Sequence, residues 1–304
     1  MIKFKRKLRL LMSDILPPKL YMMLAYAYIY RKKLNLVKPK LFSEKIWWLK
    51  KYYEEYQKEL LQLCYDKYTV RKYVKDKIGE KYLNTIYGVY EDAEEINFDN
   101  LPESFVIKVT QSWGKNFICP QKAQVNIDEK KELLNTWLKE MNTTKAFGGE
   151  SFLLTGKAKL MCEKFLVDEK GKIPEDYRIY CFNGKPEFII YDINTTNADG
   201  THGSNIIRNV YDKEWMFIDV QMGRPNNKQE VIKKPKNYEE MLVVAKKLSE
   251  DFPFVRVDLY NIDGKIIFGE LTWIPMGGNC IIEPKSFDNY LGELLDLPDV
   301  KLHF

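Results

Sequence analysis

Two acids, Asp258 and Glu270, stand in the stretch FVRVDLYNIDGKIIFGELT, residues 254–272, among residue types that build buried strands. Burying a carboxylate is costly unless something pairs with it. Ile262-Asp263-Gly264 reads as a three-residue hairpin loop, with Gly in the left-handed position of a bulge. That loop pairs Asn261 with Lys265 and sets Asp258 opposite Phe268 and Arg256 opposite Glu270. Alternation then puts Phe254, Arg256, Asp258, Phe268, Glu270 and Thr272 on one face. Val255, Val257, Leu259, Ile267 and Leu271 take the other face, the core side. A two- or four-residue loop would send the acids to opposite faces. In the three-residue register they are diagonal neighbours, roughly 7–8 Å apart at Cα. Two carboxylates with no histidine suit a hard cation such as Mg²⁺, which works beside phosphates. The alternative is that Arg256 pairs with Glu270 across the strands and Asp258 is solvated.

A complement lies upstream, in FVIKVTQSWGKN. Lys108 sits within an apolar strand, and the following loop carries Ser112, Gly114 and Lys115. A glycine loop between strands can close over phosphates with backbone N–H groups, and a lysine adds charge. An isolated strand lysine is otherwise an edge residue with its amine in water. Taken with the distal acidic pair, the loop suggests a nucleotide held between two lobes.

The elements that must position these groups can be read from periodicity. Residues 41–80 form two helices, the first with Ser43 as N-cap and Ile46, Leu49 and Tyr53 on one face, the second closing near Gly79. LNTIYGVY, FVIKV, FICPQ, LMCEKFLV, RIYCF, PEFIIYDI and NIIRNVY read as strands, with a hairpin turn at 183–185. EKKELLNTWLKEM and YEEMLVVAKKLSEDF read as amphipathic helices. No regular βαβ repeat appears, so the fold class is α+β with mainly antiparallel sheets.

Composition narrows the function classes. The 304 residues are 30% charged and 45% hydrophobic, as expected of a soluble globular chain. No run approaches the roughly 18–20 apolar residues of a membrane span. The longest, LYMMLAYAYIY, is flanked by Lys19 and Arg31-Lys32-Lys33. Asp14 and Pro17-Pro18 interrupt any signal-peptide core. Five scattered cysteines without a CxxC pair, and only two histidines, argue against a disulfide framework or a zinc site. A reducing cytoplasm is the simplest home.

Residues 1–40 hold eleven Lys or Arg against one acid, Asp14, a net +10, so the other 264 residues carry −5. With Ile2, Phe4, Leu8, Leu10, Leu11, Ile15 and Leu16 interspersed, this segment could lie in an anionic membrane interface. The other reading is a solvated helix packed on the protein. Nucleic acid is not expected as a partner, because the body of the chain is acidic.

Taken in order, LFSEKIWWLK, DKYTVRKYV, LPESFVIKV, CEKFL, DYRIYCFNGKP, RNVYD, the acidic hairpin and LGELLDLP resemble the TupA-like branch of the ATP-grasp superfamily, from about residue 41 to 298. The resemblance implies two α+β lobes sandwiching ATP, preceded by a helical region. The expected organisation is a basic segment at 1–40, a helical region at 41–100, a lid subdomain at 101–165 and a metal- and substrate-binding subdomain at 166–304. By position, Lys67 and Lys108 match ATP-contacting lysines, and Ser112 and Gly114 fall in the phosphate loop. Glu163 matches an acid facing the adenine amine, with Phe165 and Leu166 offering backbone contacts, and Asp176 lies near the ribose. Arg178 falls beside the phosphates, Arg208 matches a residue reaching the γ-phosphate, and Arg256 one steadying the reacting carboxylate. Asp258 and Glu270 match Mg²⁺ ligands. The third ligand position, usually Asn, is Thr272 here, with Asn279 the outside candidate, and the loop QSWGKN holds fewer glycines than the family pattern.

The implied activity is an ATP-dependent carboxylate–amine ligase working through an acyl phosphate, with carboxylate and amine small-molecule or glycan substrates and ATP and Mg²⁺ as cofactors. The family association points to capsular or cell-wall polysaccharide modification, at the inner face of the cell membrane if residues 1–40 bind there. A kinase-like phosphotransferase is the rival enzyme, since HGSNIIRN loosely matches an HxD…N loop, although Ser204 replaces the aspartate and no DFG follows. No Asp-x-Asp supports a glycosyltransferase. A catalytically degenerate scaffold of the polysaccharide machinery is the non-enzymatic alternative.

Overall fold

The computed structural model describes residues 15–143, 150, 153–195, 203 and 205–299. Residues 1–14 of the basic segment, together with His202, Ser204 and His303, lie outside the described residues.

Three helices come first: α1 (Pro18–Tyr30), α2 (Phe42–Tyr65) and α3 (Val70–Ile78). Helix α2 forms where Phe42, Ile46, Leu49 and Tyr53 recur on one face, and all four are buried. Its start differs from the sequence expectation. Ser43 is the second helical residue, and both its N–H and its hydroxyl donate to Asp288, at 2.8 Å each. The first turn is closed instead by Glu44, whose carboxylate accepts from the N–H groups of Lys40 and Leu41. Helix α1 is apolar all round: Tyr21, Met22 and Tyr26 are buried, while Leu20, Met23, Leu24 and Tyr28 are exposed.

A four-stranded sheet follows, from β1 (Ile86–Tyr90), β2 (Phe105–Val109), β3 (Asn116–Cys119) and β4 (Leu160–Lys164), in the order β1-β4-β2-β3. Helix α4 (Ile127–Thr143) covers it with Leu134, Leu138 and Met141, one stripe at helical spacing. These residues share a core with Phe105, Ile107, Leu160 and Cys162.

The second sheet has six strands, β5 (Asp176–Phe182), β6 (Lys185–Ile193), β7 (Ile207–Asp212), β8 (Phe217–Ile218), β10 (Phe254–Ile262) and β11 (Lys265–Thr272), ordered β11-β10-β5-β6-β7-β8. A short ribbon pairs β9 (Gln221–Met222) with β12 (Ile282–Glu283). All strand pairings among the described residues are antiparallel. One face of the large sheet is covered by α5 (Tyr238–Ser249), through Met241, Val244, Ala245 and Leu248. The other face is divided. At one end Phe182, Phe188 and Phe254 pack against Phe42 of α2 and Phe287 of α6 (Lys285–Leu294). At the other end the same face carries Asp176, Arg178, Asp192, Arg208, Arg256, Asp258 and Glu270.

The hairpin β10–β11 corrects the expected register. Its turn has two residues, Asp263 and Gly264, both at positive φ (52° and 86°), and Ile262 pairs with Lys265. This is the primed turn whose twist suits a hairpin. A bulge at Gly269 then restores what the shorter turn would have lost. Asp258 sits directly opposite Glu270 and Arg256 opposite Thr272, so the acids are cross-strand neighbours and not diagonal ones. Beyond the bulge the faces exchange: Phe268 pairs with Leu259 and joins the core, while Ile267 pairs with Tyr260.

Candidate active site

Between the two sheets lies a cavity of about 220 Å³. The large sheet gives it Asp176, Asp258, Tyr260 and Glu270; the small sheet gives Lys108, Asn116, Met161 and Glu163; the helical region gives Lys67 and Arg71. Residues from three separate segments of sequence therefore converge on one space.

On its floor, Asp258 is buried and gripped by Arg256, which donates from Nε to Oδ1 at 2.7 Å and from Nη2 to Oδ2 at 2.5 Å. The same Nη2 donates to Glu270 Oε1 at 2.9 Å. The expected alternative of a solvated Asp258 is therefore overturned, and the cross-strand pair of Arg256 with Glu270 coexists with the buried acid. Burial pushes the Asp258 carboxyl up to about 7 despite the guanidinium beside it, and the Glu270 charge adds to the rise. Glu270 keeps 49% of its side chain exposed. Withdrawal from water works against its charge, but Arg256 and Lys67 outweigh it and hold the carboxyl below its usual range. The Thr272 hydroxyl donates to Glu270 Oε1 at 3.1 Å, which puts it beside the pair. Asn279 donates from Nδ2 to the Met276 carbonyl at 3.0 Å and does not line the cavity.

The opposite wall is basic. Lys108 on β2 pairs with Glu163 on β4, and Lys67 donates from Nζ to the Ser112 carbonyl. The backbone N–H of Lys67 also donates to Thr110, at 2.9 Å, so this lysine and the 110–115 loop are tied together. Burial lowers the Lys67 ammonium, with Lys108 adding to the fall and Glu270 opposing it. Ser112 is buried and its hydroxyl donates to Val109, so it underpins the loop without lining the cavity. Gly114 takes φ +72° with open space around it, and the neighbouring Trp113 is 60% exposed. Leu166 lines the cavity, whereas Phe165 does not.

Beside the floor is a chain of charge that runs across the sheet. Asp192, 1% exposed, accepts from Arg208 through Nε and Nη2 at 2.6 Å each, from Arg178 through Nη1, and from Arg224 through Nη1 at 3.1 Å. Arg178 also donates to Asp176 at 2.9 Å, and its Nε lies 3.8 Å from Asp258. Burial alone would raise the Asp192 carboxyl; the guanidiniums overcome it and hold the group low. Arg208 is buried beneath this cluster, with Nη1 on the Met222 carbonyl at 2.7 Å, and does not line the cavity.

Of the residues expected from sequence, Lys67, Lys108, Glu163, Leu166, Asp176, Asp258 and Glu270 meet in the cavity. Arg178, Arg256 and Thr272 adjoin its floor. Sequence reasoning missed Arg71, Asn116, Tyr260, Asp192 and Arg224. Asp192 had a readable signal, being an acid amid the apolar run PEFIIYDI, as Asp258 was in its own strand.

The arrangement has definite chemical capacities. Asp258 and Glu270 form an oxygen-only pair on adjacent strands, and no group of three or more His, Cys, Asp or Glu able to hold a metal occurs among the described residues. That donor set fits Mg²⁺, which is held by one or two carboxylates and completes its shell with water and phosphate oxygens. Two lysines and Arg71 across the cavity could offset a polyphosphate.

The sequence model of the TupA-like ATP-grasp family matches residues 44–296. The chain belongs to this family. Its two antiparallel sheets are accordingly the lobes of an ATP-grasp fold, with a helical region before them. No curated protein matches the chain. Among solved structures it is similar to D-alanine–D-alanine ligase from Bacillus anthracis, at 18% identity and a TM-score of 0.43, covering 76% of this chain and 64% of that one. It is also similar to N5-carboxyaminoimidazole ribonucleotide synthetase in its ADP complex, at 12% identity and 0.39, covering 70% and 45%. Phosphoribosylamine–glycine ligase from Thermotoga maritima matches at 14% and 0.40, covering 70% and 48%. The chain thus spans between 45% and 64% of the length of these structures. No helix among the described residues is long and apolar enough to cross a membrane.

Proposed function

We propose that this ATP-grasp protein is a carboxylate–amine ligase that uses MgATP. The observation that carries the reading is Asp258 opposite Glu270 on one wall of a cavity whose other wall holds Lys67 and Lys108. In this reading a substrate carboxylate oxygen attacks the γ-phosphorus of ATP and ADP leaves, giving an acyl phosphate. An amine nitrogen then attacks the acyl carbon, phosphate departs, and loss of a proton leaves the amide. Phosphoryl transfer asks the protein mainly for positioning and charge neutralisation.

Lys67 and Lys108 would hold the phosphates, under a loop shaped by Ser112 and Gly114. Glu163 would accept from the adenine amine beside the backbone of Phe165 and Leu166, and Asp176 would meet the ribose. Asp258 and Glu270, with Thr272 beside them, would hold Mg²⁺, which when bound supplies charge neutralisation between phosphate oxygens. Arg256, which borders both carboxylates, would steady the reacting carboxylate. Arg178 would act beside the phosphates. Arg208, whose nitrogens are taken up by Asp192 and Met222, would act by fixing Asp192.

The family association supports a role in capsular or cell-wall polysaccharide modification, joining an amino acid or amino sugar to a uronic acid. The exposed apolar residues of α1 and the +10 charge of residues 1–40 support peripheral contact with the inner face of the cell membrane, the chain being otherwise cytoplasmic and without nucleic-acid partners. The test is incubation with MgATP and paired acids and amines, reading ADP release and product mass. An amide supports ligation; a phosphorylated final product would make the protein a kinase, and absence of ATP consumption with every pair would make it a scaffold.

A further inference from the structure

Asp192 is a single carboxylate under three guanidiniums, and the third of them is not needed to balance it. Arg208 engages both its oxygens, and Arg178 bridges it to Asp176. Arg224 reaches the same Oδ2 with one nitrogen, and its side chain is 28% exposed. Asp176 and Asp258 offset Arg178, whereas Asp192 is the one acid that Arg224 contacts and it is shared with Arg208, so a further anion beside Arg224 would be favoured. Four of the five guanidinium N–H donors of Arg224 are not used by that contact.

The segment that delivers Arg224 is irregular yet firmly pinned. Gly223 N–H donates to the Ile281 carbonyl at 2.9 Å, and Arg208 N–H donates to the Pro225 carbonyl at 2.8 Å. The buried Asn209 amide donates to the carbonyls of Asn227 and Glu230, and its oxygen accepts from the Asn227 N–H at 2.9 Å. Met276, from the turn that follows β11, contacts Arg208 at 3.7 Å and lies directly over Gly223. Arg224 is therefore presented from a preorganised mount, one salt-bridge chain (Asp192, Arg178, Asp258) away from the acidic pair. A cation held rigidly with unused, partly exposed donors is the form an anion-recognition residue takes.

We propose that Arg224 grips a second anionic group, carboxylate or phosphate, on the acid whose reacting carboxylate lies at Arg256 and the Asp258–Glu270 pair. Asp192 is the positioning residue that aims it. The inference rests on the ligase reading for the first carboxylate and deepens it, since it makes the acid substrate a dianion.

Calorimetric titration of the full chain, saturated with MgADP, tests this with three probes: D-glucuronic acid, D-glucaric acid and D-glucuronic acid 1-phosphate. The two dianions are expected to bind at least tenfold tighter than glucuronic acid, and the tighter of them shows whether carboxylate or phosphate is read. Arg224→Ala should weaken that probe roughly ten- to hundredfold, as expected for a lost charge-assisted contact, with Arg224→Lys between the two. ADP affinity should stay unchanged, and thermal unfolding should stay cooperative with Arg208 and Arg178 still holding Asp192. Equal affinity for all three probes, or Arg224→Ala binding the dianion as tightly as wild type, overturns the proposal. ATP consumption with acid–amine pairs is a separate measurement, so failure of the ligase reading is told apart from failure of this one.

Discussion

Replacing Asp192 by Asn should cost more stability than any change of equal size on the surface of this protein. The carboxylate is 1% exposed and accepts four charge-assisted hydrogen bonds from three arginines. An asparagine keeps the shape but removes the charge, leaving Arg208 buried without an acidic partner and Arg178 with Asp176 and Asp258 alone. Breaking a buried pair from one side costs about 3–5 kcal/mol. With a urea slope of about 3 kcal/mol/M, the unfolding midpoint falls by about 1 M or more. The sign of the pH dependence follows from the low carboxyl. A group depressed in the folded state gives stability above its unfolded value, about 3.9, and loses it as pH falls through the folded value. The gap between wild type and Asp192→Asn is therefore full at pH 7 and narrows below about pH 4. Urea melts of both proteins at pH 7 and pH 3.5 measure it. A variant within about 1 kcal/mol of wild type at pH 7 would refute the claim that this carboxylate holds the arginine cluster.

Asp258→Asn and Glu270→Gln should each abolish acid-stimulated ADP release while the circular dichroism spectrum stays native; undiminished release in both variants rules out the metal assignment. Gly269→Ala places a Cβ 3.0 Å from the Asp258 carbonyl oxygen, a backbone atom that cannot swing aside. It should cost about 1–3 kcal/mol and lower turnover together, and wild-type turnover would count against a role for the bulge. Leu20→Ser, Leu24→Ser and Tyr28→Ser combined should cut flotation with anionic vesicles several-fold; unchanged flotation rejects α1 as a docking face. Point changes suit this better than removing residues 1–40, because Tyr26, Leu34 and Leu36 belong to the main core.

Much of this was legible in the sequence, for identifiable reasons. Short apolar runs marked β2, β5 and β6, alternation marked the side of β10 that bears the acids, and amphipathic spacing marked α5, whose stripe Met241, Val244 and Leu248 is buried. The acidic pair was legible because two charges in apolar strands demand a partner. The register was not. Turn length and bulge compensate each other, and period-two patterning reads either combination as the same face. Ser43 misled because its hydroxyl serves a residue 245 positions away, Asp288, and no local pattern reports that. Arg224 was invisible for the same reason: it sits in a loop, and only the sheet brings it to Asp192.

The bulge at Gly269 decides how this pair of acids could be made or lost. An inserted residue, and not any side chain, brings the two acids level. Scanning the hairpin by substitution would leave that insertion untouched, whereas deleting one residue there would rotate Glu270 into the core with every functional group intact. The converse also holds. An ordinary hairpin with two acids one step out of phase lies a single codon insertion from a pair of level carboxylates.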